Sequence, residues 1–249
     1  AVRAGVCDGF IGNRILAVYR QAADTMLEDG ASPYQIDEAL REFGYPMGPY
    51  QVADLAGGDI GWATRKRRAA TRDTRARYVQ IADRLCERGW FGQKTGRGWY
   101  LYAKGSRSGT PDPEVLAIVE AERQRAGITP RSFSNDEIVR RYLAAMINEG
   151  ANVVHEAIAL RPLDVDVVFV AGYGFPRQGG GPMKYADTVG LPQVLSYATH
   201  SETEVDRQLV NDFMSAALVS DPELRAINVL DATGQNVYST DPSGYGVNL

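Results

Sequence analysis

The apolar positions near the start of the chain, Ile11, Ile15, Val18, Tyr19, Ala22, Met26 and Leu27, recur at the three-to-four spacing of an amphipathic helix. Asp8 is placed to cap the start of that helix and Gly30 to close it. Ser32-Pro33-Tyr34-Gln35 reads as a capping box with proline at the first helical position, and Ile36, Ala39, Leu40 and Phe43 follow on one face as far as Gly44. Tyr45-Pro46-Met47-Gly48-Pro49 is turn chemistry. From it Pro49 can open a third helix to about Leu55, ahead of Gly57-Gly58.

The same order returns after a polar stretch at about residues 104 to 135, which is expected as a linker. Ile11-Gly12-Asn13-Arg14-Ile15-Leu16 aligns with Ile138-Val139-Arg140-Arg141-Tyr142-Leu143, and Pro33 with Pro162. Phe43-Gly44-Tyr45-Pro46 aligns with Tyr173-Gly174-Phe175-Pro176, and Ala53-Asp54-Leu55-Ala56-Gly57 with Ala186-Asp187-Thr188-Val189-Gly190. A duplicated helical domain accounts for all of these together. The repeat also decides Val165-Asp166-Val167-Val168-Phe169-Val170, which alternates like a strand but aligns with the capped helix at 33 to 43, so helix is predicted. The expected fold class is all-α, with helical units at 1–103 and 136–200, the linker at 104–135 and an atypical tail at 201–249. Within the tail, Val205, Leu209, Phe213, Met214 and Ala217 predict one more amphipathic helix. Ala226–Asp231 and Asn236–Thr240 around Ala232-Thr233-Gly234-Gln235 carry a hairpin signature.

Composition adds boundaries. A chain of 249 residues can bury roughly 70 % of its unfolded surface without staples. Cys7 and Cys86 lie far apart with no CxxC or Cys/His spacing, which points to neither a disulfide framework nor a metal site. A reducing cytoplasm is therefore the expected compartment. No stretch approaches the roughly 18 apolar residues of a membrane span, and residues 1–10 lack the charged-then-apolar layout of a signal peptide. The net charge of −4 argues against a nucleic-acid partner. The basic run Arg65, Lys66, Arg67, Arg68, Arg72, Arg75 and Arg77 has no aromatic interleaving and is broken by Asp73, so it reads as a solvated helix face.

Candidate catalytic groups are few. The two histidines are His155, grouped with Asn148 and Asn152 on the polar side of a helix at 138 to 157, and His200 beyond the motifs; both read as surface residues. Gly96-Arg97-Gly98 lacks the third glycine and the strand-to-helix setting of a dinucleotide fingerprint. Gly179-Gly180-Gly181 is not followed by the lysine and hydroxyl residue of a P-loop, and reads as a packing turn.

Three motifs in order, Gly9-Phe10-Ile11-Gly12-Asn13-Arg14-Ile15-Leu16, Gly44-Tyr45-Pro46-Met47-Gly48-Pro49 and Phe91-Gly92-Gln93-Lys94-Thr95-Gly96-Arg97-Gly98-Trp99-Tyr100, closely resemble the C-terminal domain of 3-hydroxyacyl-CoA dehydrogenases. Gly172-Tyr173-Gly174-Phe175-Pro176 with Gly179-Gly180-Gly181-Pro182-Met183 resembles a second copy. Two copies are typical of the bifunctional enzymes that join an enoyl-CoA hydratase to the dehydrogenase. The likeness covers about residues 4 to 198. It implies an oxidoreductase of fatty-acid β-oxidation using NAD and 3-hydroxyacyl-CoA or 3-ketoacyl-CoA. It also implies an upstream Rossmann domain that supplies the dinucleotide site and a His-Glu pair, a homo-oligomer, and no activity from this chain alone. By the same resemblance Asn13 matches the family asparagine that reaches the substrate, and Lys94 matches a lysine that approaches NAD. Arg14 with Asp54, and Arg141 with Asp187, occupy equivalent places in the two copies and are expected as structural ion pairs. The rival reading is a non-catalytic acyl-CoA-binding or dimerisation module. The tail hairpin resembles the edge of a Cache or PAS-like sensor domain.

Overall fold

The computed structural model describes residues 1–72, 77–190 and 194, with the backbone of strands at 228–230 and 236–239. It is mostly helical and divides into two compact units, Ala1–Tyr19 with Arg140–Leu249, and Arg20–Val139. Helix α1 (Gly12–Asp29) contributes residues to both. It begins at Gly12 rather than beside Asp8, because Gly9 (φ 85°) and Phe10 (φ 51°) turn the chain through left-handed conformations first.

In the unit Arg20–Val139, α2 (Pro33–Phe43) starts with half of the expected capping box: Ser32 Oγ accepts the Gln35 N–H at 3.0 Å. The Gln35 amide does not return to Ser32 but donates to the Phe133 carbonyl at 2.8 Å. Gly44, at φ 123°, ends the helix with its N–H shared by the Leu40 and Arg41 carbonyls. Helices α3 (Pro49–Ala56), α4 (Gly58–Arg68) and α5 (Ile81–Glu87) follow. Ile36, Leu40, Tyr50, Ile81, Leu85 and Trp99 are among the buried residues of this unit.

The stretch expected as a linker is structured. Strands β1 (Tyr100–Tyr102) and β2 (Gly109–Pro111) pair antiparallel with Leu101 opposite Thr110, and α6 (Pro113–Ala126) follows, capped by Asp112. Val115, Ile118, Val119 and Glu122 form its buried stripe. A glutamate in that stripe breaks the apolar pattern, and it is tolerated because Arg84 at 3.0 Å and Arg125 at 2.5 Å pair with it. Arg123 then donates to the Leu27 and Ala31 carbonyls at 2.7 and 2.8 Å, satisfying acceptors at the C-terminal end of α1.

The other unit carries most of α7 (Asn135–His155), then α8 (Pro162–Gly172) and α9 (Pro182–Val189). Ile15, Leu143, Met146, Val165, Phe169 and Phe175 are buried in it, and the Tyr19 ring lies 4.8 Å from Tyr142 and edge-on to Phe169 at 6.1 Å. The strand-like segment is helix, as the repeat predicts. Its alternating aspartates are buried and satisfied, Asp164 by Arg161 at 2.8 Å and Asp166 by backbone N–H groups. In the tail, β3 (Asn228–Leu230) and β4 (Asn236–Ser239) form the expected antiparallel hairpin, with Val229 opposite Tyr238. The amphipathic helix predicted through Val205–Ala217 lies outside the described residues.

Candidate functional site

Asn13 sits in the first turn of α1 with its side chain exposed. Its Oδ1 accepts a hydrogen bond from the Tyr173 hydroxyl at 2.7 Å. The neighbouring Gly12 makes that approach possible, since a Cβ there would overlap the Tyr173 ring. Burial raises the Tyr173 phenol above its usual range, so the hydroxyl keeps its proton and can donate. The Tyr173 ring is itself stacked on Phe169 with centroids 4.9 Å apart.

Arg14 and Asp54, expected as an ion pair, each have other partners within their own unit. Arg14 donates from Nε to Glu149 at 2.5 Å and from both terminal nitrogens to Glu156 at 2.5 and 2.7 Å. Glu149 and Glu156 are two helical turns apart, which puts both carboxylates in reach of one guanidinium. The hydrogen bond to Glu156 chiefly raises the Arg14 guanidinium, and in return Glu156 is lowered. Asp54 has three other donors: the Trp99 and Tyr100 N–H groups at 2.9 and 3.0 Å and the Tyr102 hydroxyl at 3.0 Å.

Asp54 explains two of the three glycines of the Phe91–Tyr100 motif. A Cβ on Gly92 would overlap the Asp54 backbone, and one on Gly98 would overlap its carboxylate. The GxG element is thus a wrap around a buried aspartate, and it forms no phosphate cradle. Lys94, in the short turn Gln93–Thr95, projects from this wrap and pairs with Asp59 in the first turn of α4. Both side chains are nearly half exposed, at 47 % and 43 %. That ion pair lowers the Asp59 carboxyl.

Two residues that the sequence reading did not single out organise the helix starts. Asp37 is fully buried and accepts from the Tyr50 and Gln51 N–H groups at 2.9 and 3.0 Å and from the Tyr100 hydroxyl at 2.8 Å. Asp166 accepts from the Met183 and Lys184 N–H groups at 2.8 and 3.2 Å. Gly48 and Gly181 lack the Cβ that would overlap Asp37 and Asp166 respectively. The signal was present: each aspartate stands at the fourth position after the helix-opening proline, ahead of a Gly-Pro pair. Asp166 takes up the donors at the start of α9 that a phosphate at Gly179-Gly180-Gly181 would need. Burial pushes both Asp37 and Asp54 up to about 6, against the opposing pull of their donors.

The remaining candidates separate. His155 ends α7 exposed, as expected, and His200 lies outside the described residues. Asn148 does not share its polar face: it is buried, and its Oδ1 has no hydrogen-bond partner. Asn152 donates to Glu149 at 2.9 Å. Within the basic run, Arg65 pairs with Asp83, and Arg77 with Glu28 and Asp29, so these cations hold helices together as well as facing solvent. Arg75 lies outside the described residues.

Comparison with known proteins supplies the family. The model of the 3-hydroxyacyl-CoA dehydrogenase C-terminal domain matches residues 9–102 and 138–237, the second stretch running into the segment set apart as tail. The chain is 46 % identical over 207 residues to the peroxisomal bifunctional enzyme of Danio rerio, covering 78 % of this chain and 29 % of that protein. The corresponding Homo sapiens enzyme is 47 % identical over 206 residues, covering 78 % and 28 %. The dehydrogenase part of multifunctional enzyme 1 from C. elegans superposes with a TM-score of 0.65 at 26 % identity, over 85 % of this chain and 48 % of that one. The chain therefore spans under a third of the length of the curated relatives it matches. The relatives' peroxisomal names overturn the cytoplasmic expectation. Unpaired cysteines distinguish a reducing from an oxidising compartment, whereas an organelle address is read by a receptor and leaves no mark on composition. With its motifs matched in two stretches and its helices ordered as the repeat requires, the chain belongs to the 3-hydroxyacyl-CoA dehydrogenase C-terminal domain family and carries that domain in duplicate.

Proposed function

We propose that this chain is the C-terminal part of an NAD-dependent 3-hydroxyacyl-CoA dehydrogenase of β-oxidation, in which Asn13 meets the acyl-CoA and Lys94 approaches the dinucleotide. The observation that carries the reading is Asn13 itself, a carboxamide exposed at the first turn of α1 and held at its oxygen end. NAD supplies the hydride acceptor. Lys94 is the residue of this chain suited to it: an exposed ammonium whose single carboxylate partner, Asp59, is solvent-accessible and weakly held. The described residues offer no phosphate cradle, because the glycine elements close around Asp54 and Asp166. Removal of the hydroxyl proton calls for a base near neutral pH, and the exposed His155 has no partner arrangement of that kind. The dinucleotide site and the base are accordingly assigned to a Rossmann domain elsewhere in the polypeptide, in keeping with a relative of which this chain covers only 29 %. The relatives' names, bifunctional enzyme and multifunctional protein, support partner domains of further activity in the whole protein.

The assay is NADH absorbance with a 3-hydroxyacyl-CoA, run on this chain alone and on the chain joined to its dinucleotide-binding domain. Turnover is expected only from the joined protein. Robust NADH formation by the isolated chain would overturn the division of labour.

A further inference from the structure

We infer that Tyr173, contributed by the second copy of the domain, is a positioning residue that sets which end of the Asn13 amide faces the substrate. The inference rests on the assignment of Asn13 to the acyl-CoA. A carboxamide has an accepting oxygen and a donating nitrogen, and rotation by half a turn exchanges them at little steric cost. Tyr173 biases that choice, because a phenol is a better donor than acceptor and so favours the amide oxygen on its side. Its hydroxyl donates to Asn13 Oδ1 at 2.7 Å, which leaves the Nδ2 hydrogens as the groups Asn13 can present. Donors suit an acyl-CoA oxygen that is, or is becoming, a carbonyl, where an oriented N–H stabilises the charge gathering on oxygen.

Three further features favour a device over a chance contact. Gly12 is buried under the Tyr173 ring, and any larger residue would displace that ring. The ring is fixed from its other side by Phe169, stacked at 4.9 Å with an interplanar angle of 26°. Phe169 in turn is fully buried against Tyr19, on the same helix as Asn13. Core packing of one copy is thereby transmitted to a side chain at the helix start of the other. The aligned position in the first copy is Phe43, which has no hydroxyl. The two copies have therefore diverged at the atom that matters, and the second serves the first.

The test is steady-state kinetics of the full-length dehydrogenase, comparing Tyr173→Phe, Asn13→Ala and the double variant. Tyr173→Phe keeps the stacked ring and removes only the hydroxyl. It should lower kcat by roughly five- to tenfold, the value of about one oriented hydrogen bond, with the KM for NAD unchanged. In the Asn13→Ala background the same substitution should cost nothing further, because a residue acting through Asn13 has nothing left to act on. A purely structural tyrosine would give the same loss in both backgrounds, and that additive result would overturn the inference. Full activity in Tyr173→Phe alongside a damaged Asn13→Ala would overturn it too while leaving Asn13 on the substrate. Full activity in Asn13→Ala would remove both readings.

Discussion

Asp37 accepts the backbone N–H of Tyr50 at 2.9 Å, clasping the start of α3 from a position thirteen residues upstream. The same relation recurs between Asp166 and Met183 at the start of α9. In each copy a helix N-terminus that opens with Gly-Pro is capped by a distant carboxylate on the preceding helix, where a local Ser or Asp would be usual. The glycine is obligatory because the capping side chain lies where its Cβ would be.

Replacing either aspartate should destabilise its unit. Asp37→Ala leaves two backbone donors and the Tyr100 hydroxyl without an acceptor, so about 3 kcal/mol or more is expected from buried unsatisfied groups. Asp166→Ala should cost about 1 to 2 kcal/mol, having fewer donors to strand. Urea unfolding of each variant checks both the sign and the order.

A pH dependence follows from the raised carboxyls. Asp37 and Asp54 bind a proton up to about 6 in the folded chain but only up to about 3.9 when unfolded. Between those limits the native state holds more protons, so these two groups make stability fall as pH rises from about 4 to 6 and then level off. A shift of that size corresponds to roughly 3 kcal/mol for each group. Carbon-detected NMR titration of the two side-chain carboxyls should place both midpoints near 6. Midpoints near the ordinary value for aspartate would show that the backbone donors outweigh burial.

Gly98 should not tolerate alanine, even though its φ is not in the left-handed range. The added methyl meets the Asp54 carboxylate and would force it off the Trp99 and Tyr100 N–H groups, costing about 2 kcal/mol or more. Gly105, with φ 81° and open space around it, should lose about 1 kcal/mol through strain alone. Thermal melts of the two variants separate close approach from conformation.

A double-mutant cycle on Arg14 and Glu149 should show a coupling of about 1 to 3 kcal/mol, since Glu149 is nearly buried and pairs at 2.5 Å. The cycle on Arg14 and Asp54 should be additive to within about 0.5 kcal/mol. Coupling in the second cycle equal to the first would restore the pairing suggested by the repeat.

Lys94→Ala should leave stability within about 0.5 kcal/mol of the parent, because its ion pair is exposed. In the full-length dehydrogenase it should raise the KM for NAD severalfold with a smaller effect on the KM for acyl-CoA. An unchanged NAD dependence would remove Lys94 from the cofactor.

The sequence alone marked the starts of α2, α3 and α8 and the end of α2, though not α4, α5 or α6. Proline at the first helical position, glycine past the last, and apolar residues at helical spacing act within a few residues, so Pro33, Gly44, Pro49 and Pro162 mark their elements directly. It also determined the duplication, which outweighed the strand-like alternation at 165–170 and showed that segment to be helix. Pattern failed where a polar residue belongs to the core: Glu122 hid the buried face of α6, and the counted polar face of α7 concealed the buried Asn148. Partners were the province of the tertiary structure. Arg14 could be matched to Asp54 by equivalence between copies, yet hydrogen-bond reach is about 3 Å, and it is the packing of α1 with α7 that brings Glu149 and Glu156 to that distance. Asp54 in turn is claimed by a hairpin more than forty residues away. A charge announces itself in sequence, but which opposite group or N–H meets it depends on how the helices pack, and no local spacing encodes that.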